Sequence, residues 1–183
     1  SLLSFGVIGF YDDYKKIKLN SSNGLKAKTK IFIQVILCIV IIFLIINNLD
    51  NNLGKSIAFP FFKNLIIDFG ILYYAIGAFI IIGSANSVNL TDGLDGLAIV
   101  PVMIVAISFA FISYVTGNLV FSKYLLISYI PGTGELSVFC GALIGSALGF
   151  LWFNAPPAKV FMGDTGSLSL GASLGSIAIM VKH

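Results

Sequence analysis

Long apolar runs separated by short polar breaks set the pattern of this chain. Runs over about 31–46, 65–83, 94–115, 135–153 and 165–181 are each near the length at which a helix crosses ~30 Å of hydrocarbon. Residues 1–11 read as the tail of one more. The stretch 118–130 is also apolar but has only 13 residues. That is too short to span, so it is expected to lie in the interface, with Lys123, Tyr124 and Tyr129 near the headgroups. The pattern predicts an all-α, polytopic integral membrane helix bundle of about six spans, the first partial, forming a single transmembrane domain over 1–183.

The breaks at 12–30, 84–93 and 154–164 then share one side, and those at 47–64 and 116–134 share the other. The first side carries Lys15, Lys16, Lys18, Lys26, Lys28, Lys30 and Lys159, and the second only Lys55, Lys63, Lys123 and Lys182. The positive-inside rule places the first set in the cytoplasm. Glycines recur every fourth residue at 141, 145 and 149, and again at 171 and 175, which predicts close helix packing inside the bundle in preference to a dimer interface.

Composition agrees with the pattern. The chain is 57% hydrophobic and 10% charged, with mean hydropathy +0.99, against about 25% charged in a soluble domain. A net charge of +3 is too small and too dispersed for a nucleic-acid partner. Cys38 and Cys140 fall inside apolar runs and read as packing residues, and His183 is the single histidine. No signal-peptide pattern opens the chain, and its first residues suggest a helix already under way.

The candidate chemistry lies in the polar breaks. The stretch 86–98, N-S-V-N-L-T-D-G-L-D-G-L-A, sits between two spans and holds Asn86, Asn89, Asp92 and Asp95. Asp92 can cap the following span, with Asp95 in its first turn. Capping leaves the two Asn unexplained, along with Gly93 and Gly96, which suit a ligand approaching backbone N–H groups. Asp12 and Asp13 are adjacent acids at a helix C-terminus, where the macrodipole disfavours them, with Lys15 and Lys16 as partial relief. Asp164 can cap the last span. Phe161 reads either as an interfacial anchor or as a stacking platform for a base, and Lys159 as either solvated or a phosphate contact. Asn154, Pro156 and Pro157 stiffen the entry to that loop.

Several carboxylates on one membrane face either share protons or hold a divalent cation. Oxygen donors without a usable His or Cys favour Mg²⁺ or Mn²⁺ over zinc. This points to Mg²⁺-dependent phosphoryl transfer involving a lipid. A cation transporter would place its acids mid-bilayer, and none of these lies mid-span.

Three stretches together, G-F-Y-D-D-Y-K-K (9–16), 86–98 and F-N-A-P-P-A-K-V-F-M-G-D-T-G-S-L (153–168), resemble the bacterial phospho-N-acetylmuramoyl-pentapeptide transferases of the polyprenyl-phosphate N-acetylhexosamine-1-phosphate transferase superfamily. The resemblance covers essentially the whole chain. It implies transfer of phospho-MurNAc-pentapeptide from its UDP carrier to undecaprenyl phosphate, giving lipid I and UMP, with Mg²⁺, in the bacterial cytoplasmic membrane. It implies that Asp12 and Asp13 are the aspartate pair, with Asp12 the base toward the lipid phosphate. Lys16 is then a phosphate contact, Asp164 the metal ligand, and Asn89, Asp92 and Asn154 polar residues of the catalytic cleft. Gly93, Leu94, Asp95 and Phe161 become the uridine pocket, and a homodimer is suggested. The family has ten spans, so this chain reads as a central fragment, without the Lys-rich and His-rich cytoplasmic loops and inactive by itself. The competing readings are an N-acetylglucosamine-1-phosphate transferase and, in another class, a transporter or non-catalytic scaffold.

Overall fold

The computed structural model describes residues 1–19, 24–48, 54–58 and 66–182. Most of the connection 47–64, including Pro60 and Lys63, lies outside the described residues, as do Leu65 and His183. Among the described residues the protein is a bundle of seven helices with one small two-stranded sheet. In order, these are α1 (Leu2–Lys18), α2 (Ala27–Asn48), β1 (Ser56–Ala58), β2 (Ile66–Asp68), α3 (Leu72–Thr91), α4 (Ile99–Thr116), α5 (Leu119–Leu125), α6 (Leu136–Asn154) and α7 (Gly163–Val181). β1 and β2 pair antiparallel with Ile57 opposite Ile67. A 3-10 turn, Thr133–Glu135, leads into α6.

Among the described residues, four segments are long and apolar enough to cross a membrane: Ala27–Asn48, Leu72–Thr91, Ile99–Thr116 and Thr133–Asn154. In them the polar backbone is satisfied along the helix, as hydrocarbon requires. α5 has seven residues, so the stretch 118–130 does not span. Asn118 starts α5 by accepting from Val120 N at 2.9 Å, and Leu126 ends it in the left-handed region at φ 57°.

α7 is the axis of the bundle. It packs on α3, α1 and α4, and α4 also packs on α6. Most of its residues are buried, including Ser167, Ser169, Ser173 and Ser176. A helix shielded from lipid by its neighbours needs small residues for close approach more than greasy bulk. At Gly171 an added Cβ would lie 2.5 Å from Ser84 O, and at Gly175 it would lie 2.9 Å from Ile81 Cα. Gly9 of α1 is tighter still, since a Cβ there would lie 2.2 Å from the Asp164 carbonyl. The Ser hydroxyls are absorbed within the helix, as in Ser173 Oγ to Ser169 O at 2.7 Å.

Several expected boundaries are corrected. The break expected over 12–30 is helical through Lys18 and again from Ala27, so Asp12 and Asp13 lie on α1. The expected span 65–83 begins later, at Leu72, and Asp68 belongs to β2. It also runs further, to Thr91, so Asn86 and Asn89 are helical and not in a loop over 84–93. α4 begins at Ile99 with Ala98 as its N-cap, so neither Asp92 nor Asp95 caps it, and Asp92 ends α3. α7 begins at Gly163 with Met162 as its N-cap, so Asp164 sits in its first turn and does not cap it. Where a helix outlasts its apolar run, at Lys18 of α1 and Thr91 of α3, the physical reason is the same. Polar residues end a hydrophobic run, but they do not end a helix when a neighbouring element receives them. On α6 the glycines at 141, 145 and 149 pack against nothing among the described residues.

Candidate active site

Four helix ends meet at one end of the bundle: the C-terminal turns of α1 and α3 and the first turns of α2 and α7. α1 contributes Asp12, Asp13 and Lys16 because its helix runs past the apolar stretch. Lys16 at i+4 and i+3 can then fold back on both acids. Its Nζ lies 2.7 Å from Asp12 Oδ2, 3.7 Å from Asp13 Oδ1 and 3.1 Å from Asp164 Oδ2. One carboxylate oxygen from each of Asp12, Asp13 and Asp164 falls within 4.8 Å of the others.

Each acid has a distinct set of partners. Asp12 is buried and accepts from Leu25 N. Asp13 accepts from Thr165 N at 2.9 Å and Thr165 Oγ1 at 2.7 Å, so it caps α7 from another helix. The turn that allows this has Gly163 at φ 64°, where an added Cβ would lie 2.9 Å from Asp13 Oδ2. Asp164 Oδ2 accepts from Lys30 Nζ at 2.7 Å, and its Oδ1 accepts from Asn89 Nδ2 at 2.8 Å. Asn89 Nδ2 also donates to Ser167 Oγ at 2.8 Å.

Lys16, Asp92 and Asp164 lie outside the four apolar segments. Burial alone would raise the Asp164 carboxyl. Hydrogen bonding with Asp12, Lys30 and Asn89 outweighs it and holds Asp164 well below the usual carboxylate range. Burial would lower the Lys16 ammonium, but its bonds to Asp12 and Asp164 raise it above the ordinary lysine value. The Asp92 carboxyl is pushed up, first by burial and then by the charge of Asp164, against a hydrogen bond from the Gly163 backbone.

The remaining expected site residues form a neighbouring group. Asn154, the last residue of α6, accepts from Gly96 N at 3.0 Å and donates to Val160 O at 2.8 Å. It thereby braces the 92–98 turn against the 155–162 loop, with both ends of its amide engaged by backbone. Asp95 Oδ2 accepts from Ala158 N at 3.0 Å across the same seam. Leu94 and Asp95 line a shallow groove of about 460 Å³ with Gly96, Val100 and Pro156. Gly93 is exposed, and Phe161 is 74% exposed and does not line that groove. A second apolar pocket, about 440 Å³, lies toward the opposite end beside Leu44, Pro131 and Met180, away from the charged groups.

Lys30, Thr165 and Ser167 were missed in the sequence as site residues. Lys30 looked like one more loop lysine, and 134 residues separate it from Asp164. One signal was available: a cation in the first turn of a helix faces the positive end of the macrodipole and is disfavoured there without a partner.

The oxygen donor set suits a hard divalent cation. The three carboxylates converge, while Cys38 and Cys140 are buried in the apolar packing.

A phospho-N-acetylmuramoyl-pentapeptide-transferase of Pelagibacter ubique is 61% identical over 98% of this chain and half of its own length. Proteins of the same name from Rhodopseudomonas palustris and Rickettsia prowazekii are 56% and 55% identical over 99% of this chain, again over half of their own lengths. The chain thus spans about half the length of the curated relatives it matches. The sequence model of glycosyl transferase family 4 matches residues 1–182, and the chain belongs to that family.

Proposed function

We propose that this chain forms the central part of an enzyme that transfers phospho-MurNAc-pentapeptide from UDP to undecaprenyl phosphate, releasing UMP, at the cytoplasmic face of the bacterial membrane. The observation that carries the reading is the convergence of Asp12, Asp13 and Asp164 around Lys16, with Lys30 joining Lys16 at the same oxygen, Oδ2, of Asp164. The names of the relatives support phospho-N-acetylmuramoyl-pentapeptide as the group transferred and favour it over N-acetylglucosamine phosphate. The Lys count supports the orientation.

The work is mainly positioning and electrostatics. Two anions, a lipid phosphate and a pyrophosphate, must meet. Asp164, with Asp12 or Asp13 beside it, would hold Mg²⁺. When bound, Mg²⁺ neutralises pyrophosphate charge as a Lewis acid. Lys16 and Lys30 are held in place by the carboxylates and can turn an N–H toward phosphate oxygens. Asp13 keeps the first turn of α7 closed, which sets the direction of the Asp164 side chain. Asn89 orients Asp164 from α3. Asp12 is the acid placed to accept a proton. Leu94, Asp95 and Phe161 lie on the two loops that would flank the uridine, and Asn154 holds those loops together.

The test is UMP release by the full-length protein with each UDP-sugar and undecaprenyl phosphate. Asp164→Asn is expected to abolish Mg²⁺-dependent turnover. Surviving activity would exclude the metal role, and ion flux without UMP release would favour a transporter. The 183-residue chain alone is expected to make no lipid I, since its relatives are twice as long.

A further inference from the structure

Asn86 belongs to the same polar stretch as Asn89 and Asp92, yet it takes no part in the carboxylate site. Its Nδ2 donates to Gln34 Oε1 at 3.1 Å and to Ile82 O at 2.8 Å. Gln34 interrupts the apolar run of α2 and is 0% exposed. Its Nε2 has no hydrogen-bond partner among the described residues.

The spacing ties this pair to the site. Gln34 follows Lys30 by four residues, and Asn86 precedes Asn89 by three, so each pair shares one helix face. α2 and α3 run antiparallel and meet in two rungs. The outer rung is Lys30 and Asn89 on the two oxygens of Asp164. The inner rung, about 4.5 Å deeper along α3 and about 6 Å deeper along α2 at 1.5 Å per residue, is Gln34 on Asn86.

Apart from Lys30 and this pair, α2 packs through Cys38 and Ile42, with Leu37, Ile41, Ile45 and Ile46 half-buried beside them. Its buried residues are Gln34, Cys38 and Ile42, and much of its remaining surface is exposed and apolar. Between helices in lipid there is no hydrophobic drive toward one register, and polar side chains supply the specificity. A slip of one residue moves a helix by about 1.5 Å, enough to take a 2.7 Å contact out of hydrogen-bond range.

We infer that the Gln34–Asn86 hydrogen bond sets the depth and rotation of α2 on α3 and so delivers Lys30 to Asp164. Gln34 and Asn86 are positioning residues. The effect on turnover rests on the transferase reading, while the effect on Lys30 does not.

The experiment uses the full-length protein in detergent and labels lysines with a small acylating reagent, read by peptide mass spectrometry. Lys28, which is exposed, is the free reference, and Lys182, buried at the other end, is the control for general loosening. Gln34→Met keeps an unbranched side chain of similar size and preserves folding where Asn86→Leu fails. Gln34→Met and Asn86→Leu are each expected to raise the Lys30 labelling rate at least about threefold and to lower UMP release by about tenfold, the lower end for partners that orient metal-site groups. The double variant adds nothing further. Asn86→Asp restores slow labelling, because the Gln34 amide can turn over and donate through Nε2. Unchanged Lys30 labelling in the single variants overturns the inference, as does an additive double variant or an equal rise at Lys182. If the wild type releases no UMP from any donor, the transferase reading fails, and the labelling still decides the positioning.

Discussion

Asp13 on α1 closes the N-terminus of α7, 152 residues away, through Thr165 N at 2.9 Å and Thr165 Oγ1 at 2.7 Å. One of two adjacent acids is thereby spent on structure, while its neighbour Asp12 faces Lys16. Thr165→Val removes the hydroxyl bond and keeps the backbone one. It is expected to cost about 1 kcal/mol, read as a lower thermal midpoint in detergent with turnover reduced only modestly. Asp13→Asn is expected to lower both, because it also removes the charge at the helix N-terminus.

Lys30→Met is the sharpest test of the newly recognised site lysine. It leaves a part-buried Asp164 with one fewer cation, and the expected result is about a ten- to hundredfold loss of UMP release with the protein still folded, the size of effect that orienting partners of a metal ligand can have. Lys16→Met is expected to be as severe, since its Nζ contacts Asp12 at 2.7 Å and Asp164 at 3.1 Å.

Gly9→Ala probes the seam between α1 and α7. The new methyl would meet the Asp164 carbonyl at 2.2 Å and Thr165 Cα at 2.6 Å, both backbone that cannot yield locally. The expected cost is about 1–3 kcal/mol with activity lost. Gly145→Ala on α6 meets nothing within 4 Å and is expected to leave the thermal midpoint unchanged or slightly raised.

Asp92 makes a pH prediction. Its carboxyl is raised in the folded protein, chiefly by burial. The folded state therefore binds the proton more tightly than the unfolded state does. That contribution to stability is complete below the ordinary aspartate value of 3.8 and is lost as pH rises through the raised value. Asp92→Asn, assayed in chelator, is expected to raise the thermal midpoint at neutral pH and to make no difference near pH 3. Turnover is expected to fall even so, because the carboxylate lies in the field of Asp164. An unchanged midpoint at neutral pH would remove the desolvation argument.

The membrane class, the alternation of helix ends and the three acidic stretches were legible in the residues. Hydropathy depends on local composition alone, and helix length against bilayer thickness excluded a span at 118–130. Helix ends were less legible. The apolar runs stopped at Tyr11 and Gly83, but the helices continued to Lys18 and Thr91. Lys16 could reach Asp12, and Asn89 could reach Asp164, only because of those extra turns.

By itself the sequence determined that this is a polytopic helical protein with Asp12, Asp13, Asp92 and Asp164 at one end, because burial of apolar side chains and chain alternation require no knowledge of partners. Tertiary structure alone decided which acid does what. Asp13 became a cap, Asp164 the meeting point of Lys16, Lys30 and Asn89, and Asn154 a brace with no free amide. A carboxylate's role follows from which donors lie within about 3 Å of its oxygens, and here those donors come from helices up to 152 residues apart.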